Sequence, residues 1–437
     1  MKKSTTAIGF LLSLFAPILF VSSCAPNFED FDKGSLGQSQ ADFSKYIAVG
    51  NSLTAGFADG GLYLDGQKYA YPNLIAEQMK LVGGGDFNVP FFDEEHANGS
   101  GYVRLKALVN SNPVMENVTD KLAYRAEGKL IKYIGEIQNF GVPGMRLDHS
   151  GVGAVSAANM YFERLLPDSE VGTKSYMDFV SNRNHTFFSF WLGNNDALGY
   201  ATNGAVNDNP SGTTVLTSTV VFSTMYTNFI NKLTENQQKG VVMTIPDVTT
   251  VPYFTTVSRA ALLAAASAAA GTAISDLYIA TKTGTRVATD KDLFVLTFAS
   301  AGLLGSTDGS NIPYGLYPSR PIEDKYVLDE TETTEVQTRA NEFNTIIKQV
   351  AADKKLAVAD VYSYLNTIKN SPDGFYVNGI KISPAFITGN AFSLDGIHLT
   401  PIGNALIANL IIDAINSTYN SRIPRVDITK YRAVIMP

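Results

Sequence analysis

Cysteine is almost missing from this 437-residue chain: Cys24 is the only one, so no intrachain disulfide can form even at an oxidising destination. Histidine is nearly as scarce. His96, His149, His185 and His398 are the full set, and no two of them have metal-ligand spacing, which argues against a zinc hydrolase. No basic stripe is present, and the formal charge of −7 argues against nucleic acid as a partner, because phosphate binding needs clustered Lys and Arg. A glycine-rich phosphate loop of the Walker kind, heptad runs and the usual repeat periods are absent too. Beyond the N-terminus no segment is long and apolar enough to cross a bilayer. What is left, 45% hydrophobic and 17% charged residues, is the composition of a globular protein with a substantial core.

The N-terminus has a plan of its own. Lys2 and Lys3 precede an apolar stretch from Ala7 to Val21, then Ser22, Ser23 and Cys24. That is the layout of a secretory signal peptide over residues 1–23. The cysteine directly after small residues resembles a bacterial lipobox, which makes Cys24 a lipidation site and the membrane a partner. The expectation is an exported protein anchored to the bacterial outer membrane, at its periplasmic face or the cell surface. Residues 24–42 are polar, acidic and glycine-containing, and read as the lipidated cysteine with a flexible tether. A domain is expected over 43–425, followed by a C-terminal tail over 426–437.

From Lys45 onward, short apolar runs alternate with longer amphipathic stretches. Strands are expected at 46–50, 136–140, 186–192, 241–245 and 356–360. The clearest helices are 331–354, with Val336, Ala340, Phe343, Ile347 and Val350 on one face, and 401–419, entered through Thr400 as N-cap and Pro401 in the first turn. Alternating strands and helices predict an α/β fold with a five-stranded parallel sheet covered on both faces, whose site lies beyond the carboxyl ends of the strands. Long insertions are expected near 83–132 and 201–330. The second contains the alanine-rich run 259–270, which reads as a packed core helix rather than a lipid-sensing lid.

Chemistry-bearing residues collect at the expected strand ends. Gly50-Asn51-Ser52-Leu53 puts a serine on a sharp turn after the first strand, where the N–H groups of a starting helix can face an anion. After the second strand comes Asn139-Phe140-Gly141-Val142-Pro143-Gly144, whose glycines let backbone N–H groups approach a substrate. The third strand ends in Gly193-Asn194-Asn195-Asp196, which offers a side-chain amide to a developing oxyanion. Asp395-Gly396-Ile397-His398 stands just before the last helix. A serine hydrolase needs a histidine to take and return the hydroxyl proton and an acid to fix its tautomer, and His398 has a carboxylate three residues upstream. His149 has only an adjacent Asp148; His96 and His185 read as surface or structural.

In that order the four segments resemble the motif blocks of the SGNH hydrolase superfamily, also called GDSL-type esterases and lipases. The resemblance organises the chain from about Lys45 to Tyr419. It implies a three-layer α/β/α sandwich with a flavodoxin-like sheet, and serine esterase activity on acyl or acetyl esters of lipids or glycans, without metal or cofactor. By position, Ser52 becomes the nucleophile, His398 the general base and acid, and Asp395 its orienting partner. The Ser52 and Gly144 backbone N–H groups and the Asn195 side chain become the oxyanion hole. One departure stands out: the family's aspartate before the serine is Asn51 here, an isosteric change that removes a charge. A non-catalytic glycan- or lipid-binding lipoprotein on the same fold is the alternative. The segments Tyr63–Tyr71 and Tyr314–Tyr317 are aromatic candidates for the walls of a substrate site, with core or ordinary loop packing as the commoner reading.

Overall fold

The computed structural model describes residues 39–437, apart from 110, 111, 127, 210, 310 and 372; the expected signal peptide, Cys24 and most of the tether lie outside the described residues. Five parallel strands form the central sheet: Tyr46–Gly50, Asn139–Gly141, Phe187–Trp191, Lys239–Met243 and Ala357–Ala359. Counted along the chain, their spatial order is 2-1-3-4-5, the flavodoxin-like order. The first and third strands are buried along their whole length, which is why both read as unbroken apolar runs. Gly50, at the end of the first strand, pairs with Gly141 on one side and Trp191 on the other.

The second strand starts at Asn139 rather than 136, because Glu136 is exposed and only the residues from Asn139 enter the sheet. The fourth runs Lys239–Met243, two residues ahead of the expected span. Helices cover both faces, giving the three-layer sandwich. On one face, Glu330–Lys354 buries its expected stripe and stacks Phe343 on Phe222 of Thr219–Leu233 at 3.8 Å between ring centres. Asp329 and Glu332 close a capping box at its start. On the other face lie Tyr71–Lys80 and Pro401–Tyr419, the latter capped by the Thr400 side chain on the Gly403 N–H at 3.1 Å.

Several boundaries differ from the expectation. Helix Thr219–Leu233 buries Phe222, Tyr226, Phe229, Ile230 and Leu233, so it is the crossover between the third and fourth strands and not part of an insertion. The accessory elements in this region follow the fourth strand. Among them, helix Arg259–Ala270 buries only Leu262 and Ala266, which corrects the reading of it as a packed core helix. Alanine has little apolar area to draw it inward, so its other positions stay at or near the surface. The first insertion folds into an antiparallel hairpin of Tyr102–Val109 and Asn112–Val118. At the ends, the Gln40 N–H bonds the Tyr419 carbonyl at 2.9 Å, and the Ile402 N–H bonds the Arg432 carbonyl at 3.0 Å. Residues from 39 and on through Arg432 are therefore docked on the domain rather than loose.

Candidate active site

The site is built at the carboxyl ends of the adjacent first and third strands, from which the chain crosses to the second strand on one side and the fourth on the other. Gly50 is forced there by space: a Cβ would lie 2.0 Å from Thr54 Oγ1 and 2.7 Å from the Trp191 carbonyl oxygen. Asn51 then caps helix Ser52–Ala55 by accepting the Leu53 N–H on Oδ1 at 3.2 Å. Ser52, first in that helix, places Oγ 2.8 Å from His398 Nε2, although the two residues are 346 apart in sequence. His398 Nδ1 lies 2.8 Å from Asp395 Oδ2. Phe57 packs against the imidazole at 4.7 Å between ring centres.

Asp395 is held from all sides. Its Oδ1 accepts the backbone N–H groups of His398 (2.8 Å) and Ile397 (2.9 Å) and the Ser393 hydroxyl (3.1 Å), while Oδ2 also accepts the Gly60 N–H at 3.0 Å. Burial disfavours its charge, but the His398 charge and these hydrogen bonds outweigh burial and hold the carboxyl well below the usual carboxylate range. Gly396 makes the loop possible. Its φ is +72°, and a Cβ would meet the Tyr253 nitrogen at 2.9 Å.

Of the two glycines in the second motif block, the Gly141 N–H is already engaged with Asn139 Oδ1 at 2.9 Å. The Gly144 N–H has no acceptor among the described residues, and its φ of +76° suits glycine. Asn195 Nδ2 donates to the carbonyl of the next residue, Met145, at 3.0 Å, so the amide and the Gly144 loop are tied together. These groups and the Ser52 N–H are the donors available to an oxyanion.

Three supports for this arrangement escape a linear reading. Asp196 is fully buried and accepts the Leu147 N–H (2.7 Å), the Asp148 N–H (3.1 Å) and the Thr217 hydroxyl (3.0 Å). Burial and the Asp148 charge push its pKa up to about 6 against the pull of Arg146. Arg146 is buried in turn. It forks onto Asp148 at 2.8 and 2.7 Å and donates to the carbonyls of Asn195, Thr213 and Val215, each within 3.0 Å, fixing the oxyanion block to the 213–217 segment. The third support is Asp59. Ala58 and Gly61 exchange hydrogen bonds of 3.0 and 2.9 Å around Asp59 and Gly60, both left-handed (φ +54° and +77°) as a two-residue hairpin turn requires. From that turn the Asp59 N–H donates to Ser393 Oγ (3.0 Å), while its carboxylate accepts the Leu394 N–H (2.9 Å) and the Tyr63 hydroxyl (2.6 Å). Burial raises the Asp59 pKa. Asp59-Gly60 is a recognisable turn signal; its partner 335 residues away is not.

The other histidines are elsewhere. His96 Nδ1 bonds Asp93 at 2.8 Å, and both ring nitrogens of His185 reach backbone carbonyls, of Arg183 and Leu233. His149 Nε2 lies 3.9 Å from Asp148, whose carboxylate is occupied by Arg146; burial lowers the His149 pKa. Tyr63 and Tyr71 are both buried, with Tyr71 bonded to Thr54 at 2.9 Å, as core packing implies and an aromatic substrate wall does not. Tyr314 is buried within the accessory region, and Tyr317 is exposed.

A flavodoxin-like α/β/α sandwich with serine, histidine and aspartate hydrogen-bonded in series at the strand switch point has the build of a hydrolase. The chain belongs to the GDSL-like lipase/acylhydrolase family, whose model matches residues 46–411, and it is a carboxylic ester hydrolase. Among solved structures it is similar to a lipase/acylhydrolase from Enterococcus faecalis (13% identity, TM-score 0.33, covering 87% of this chain and 99% of that one). An extracellular lipase from Streptomyces rimosus (12%, TM-score 0.32, 84% and 98%) and a phospholipase A1 from Streptomyces albidoflavus (12%, TM-score 0.30, 87% and 99%) are similar too. A search of curated proteins finds no match.

Proposed function

We propose that the chain hydrolyses acyl or acetyl esters, of lipids or of decorated glycans, through an acyl-Ser52 intermediate. One observation carries this reading: the unbroken series from Ser52 Oγ to His398 Nε2 and from His398 Nδ1 to Asp395, both at 2.8 Å. His398 takes the Ser52 proton as Oγ attacks the ester carbonyl, and returns it to the departing alkoxide. Asp395 holds Nδ1–H toward itself and stabilises the imidazolium. The negative charge on the former carbonyl oxygen falls to the N–H groups of Ser52 and Gly144 and the Asn195 amide. Water activated by His398 then cleaves the acyl-serine, releasing the acid and restoring the hydroxyl. A binding protein that had abandoned catalysis would tolerate a displaced His398; the hydrogen bond to Ser52 favours turnover.

Lipidation of Cys24 would hold this centre at the outer membrane, with residues 25–38 as the tether. A Cys24→Ala chain should then fractionate with soluble protein instead of membranes. The activity test compares the full chain with its Ser52→Ala variant, using p-nitrophenyl esters and a fluorophosphonate probe. Labelling and turnover that vanish with Ser52→Ala are expected. A folded wild-type chain that neither labels nor turns over any ester refutes the acyl-serine reading.

A further inference from the structure

The mechanism uses the serine, the histidine, the aspartate and the oxyanion donors, and leaves unused the aromatic rings beside them. Phe57 follows the short helix that begins at Ser52, and its N–H bonds the Ser52 carbonyl at 3.0 Å. Its ring lies between two others. The His398 imidazole is 4.7 Å away between centres and tilted by 50°, and Tyr161 is met edge-on at 6.1 Å. The segment that carries Tyr161 in turn touches the oxyanion loop. Asn159 Nδ2 donates to the Pro143 carbonyl at 2.8 Å and lies 3.6 Å from where a Cβ on Gly144 would sit. Asn159 Oδ1 accepts the N–H groups of Tyr161 and Phe162 at 3.0 and 3.1 Å, which fixes Tyr161 relative to that loop.

These contacts form an arc from Gly144 through Asn159, Tyr161 and Phe57 to His398. An ester carbonyl held by the Gly144 N–H and attacked by Ser52 Oγ lies inside that arc. Its departing oxygen takes a proton from His398 Nε2, so the alcohol half of the ester sits beside the imidazole, where Phe57 is packed. Both rings rest on the apolar cluster of Ala55, Leu62 and Leu64, yet both stay partly exposed. Phenylalanines that serve the core, such as Phe140, Phe162 and Phe190, are fully buried. Farther out the arc becomes more polar. The Tyr161 hydroxyl interacts with Ser100 and Tyr124, and the Tyr124 hydroxyl donates to the Ser100 carbonyl at 3.2 Å while the residue is 41% exposed.

We infer that Phe57 and Tyr161 form the subsite for the alcohol half of the ester and select alcohols that carry a ring. The ring presents a flat apolar face, an aryl face or the C–H face of a sugar, to the two side chains. Packing of this kind is strong enough for about tenfold discrimination between alcohols. The inference rests on the ester-hydrolase reading above and names the alcohol class of its substrate. Asn159 acts as a positioning residue, because it ties the Tyr161 side of this wall to the loop that holds the carbonyl oxygen.

The test holds the acyl group constant and varies the alcohol. Ethyl acetate, benzyl acetate and a methyl glucoside acetylated on its primary hydroxyl are all acetyl esters of primary alcohols, so their leaving groups are chemically alike. Acid release in a pH-stat gives kcat/KM for the full wild-type chain, Phe57→Ala and Tyr161→Ala, with thermal melting of each to confirm folding. Wild type should favour at least one ring ester over ethyl acetate, and each alanine variant should lose roughly tenfold of that ratio, whatever its rate on ethyl acetate. Phe57→Tyr and Tyr161→Phe keep the rings and should keep the ratio. Loss on benzyl acetate alone names an aryl alcohol, loss on the acetylated glucoside alone a sugar, and loss on both any ring face; each supports the subsite. A ratio unchanged in both alanine variants, equal losses on all three esters, or a wild type that favours ethyl acetate overturns it and leaves the hydrolase intact. Ethyl phenylacetate carries its ring in the acyl half; a ring preference lost there and absent from the alcohol series also overturns it. A wild type that hydrolyses none of these esters and takes no fluorophosphonate label overturns the acyl-serine reading, and the alcohol subsite with it.

Discussion

Replacing Asp59 separates what holds Asp395 in place from what performs the chemistry. The residue lies outside the hydrogen-bonded series of Ser52, His398 and Asp395, yet its turn supplies three of the hydrogen bonds that position residues 393–395: to Ser393 Oγ, from the Leu394 N–H, and from the Gly60 N–H to Asp395 Oδ2. In Asp59→Ala, the Leu394 N–H and the Tyr63 hydroxyl lose their acceptor in a half-buried setting, at about 1 kcal/mol or more each, and alanine at φ +54° adds about 1 kcal/mol. Removing a carboxylate whose charge burial disfavours returns part of that, so a net loss of about 2 kcal/mol in stability is expected. Activity should suffer beyond stability. A loop freed to shift by about 1 Å costs on the order of 10² in rate, so kcat should fall about 10- to 100-fold with little change in KM. Asp59→Asn keeps an acceptor for Leu394 and tolerates the left-handed backbone, so it should recover most of both quantities. Steady-state kinetics on a soluble short-chain ester, with urea unfolding of the same preparations, provides the measurement. An alanine variant that loses stability but keeps wild-type kcat would show that the turn braces only the fold. An asparagine variant as slow as alanine would mean that the charge, not the hydrogen bonds, matters.

Three further outcomes follow from the site. Asn195→Ala should lower kcat by about 10²–10³ while leaving fluorophosphonate labelling of Ser52 detectable; an unchanged kcat would remove Asn195 from the oxyanion hole. Arg146→Met strips the guanidinium from buried Asp196 and half-buried Asp148 and should cost about 3 kcal/mol at pH 8. Arg146 pulls the Asp196 pKa down to about 6, so without it the carboxyl takes up its proton at higher pH, and the penalty should shrink as pH falls from 8 toward about 6; a gap independent of pH would point to lost packing instead. Asp395→Asn should lower turnover by about 10⁴, because the imidazole loses its orienting acceptor. The folded Asp395 pKa is depressed, so its contribution to stability is present above the unfolded value near 4 and is lost as pH falls below it; the urea midpoints of wild type and variant should converge in that acid range.

What could be read from the sequence, and what could not, divides along one physical line. Strands buried on both faces leave near-continuous apolar runs, so the sheet and its order of motifs were legible, as were helices marked by Thr400-Pro401 and by the Val336–Val350 stripe. Ser52, Gly144, Asn195, Asp395 and His398 each sit at a chain feature with a local signature: a strand end, a glycine turn or a helix entry. Asp59, Arg146 and Asp196 have comparable weight in the geometry but act on partners far along the chain, and nothing near them in sequence names those partners. The alanine-rich helix was misjudged for a different reason. Apolar composition reports what could be buried, while burial depends on whether a neighbouring layer exists to receive it, and beyond Leu262 and Ala266 none does.

Asn51 shows the same distinction at a single position. Against the family pattern it reads as a lost charge beside the nucleophile. In the fold its Oδ1 caps the Ser52–Ala55 helix through the Leu53 N–H, a bond that asparagine and aspartate make equally well, while its Nδ2 is buried without a partner. The position therefore needs an acceptor of one size and shape in a place with almost no access to water. A carboxylate there would bring its charge into that buried space with one oxygen capping the helix and the other unpaired, and the amide avoids that desolvation at the cost of an unpaired NH₂ group. The turn that presents Ser52 thus depends on an oxygen at residue 51 and on the missing side chain at Gly50, and neither requirement involves charge.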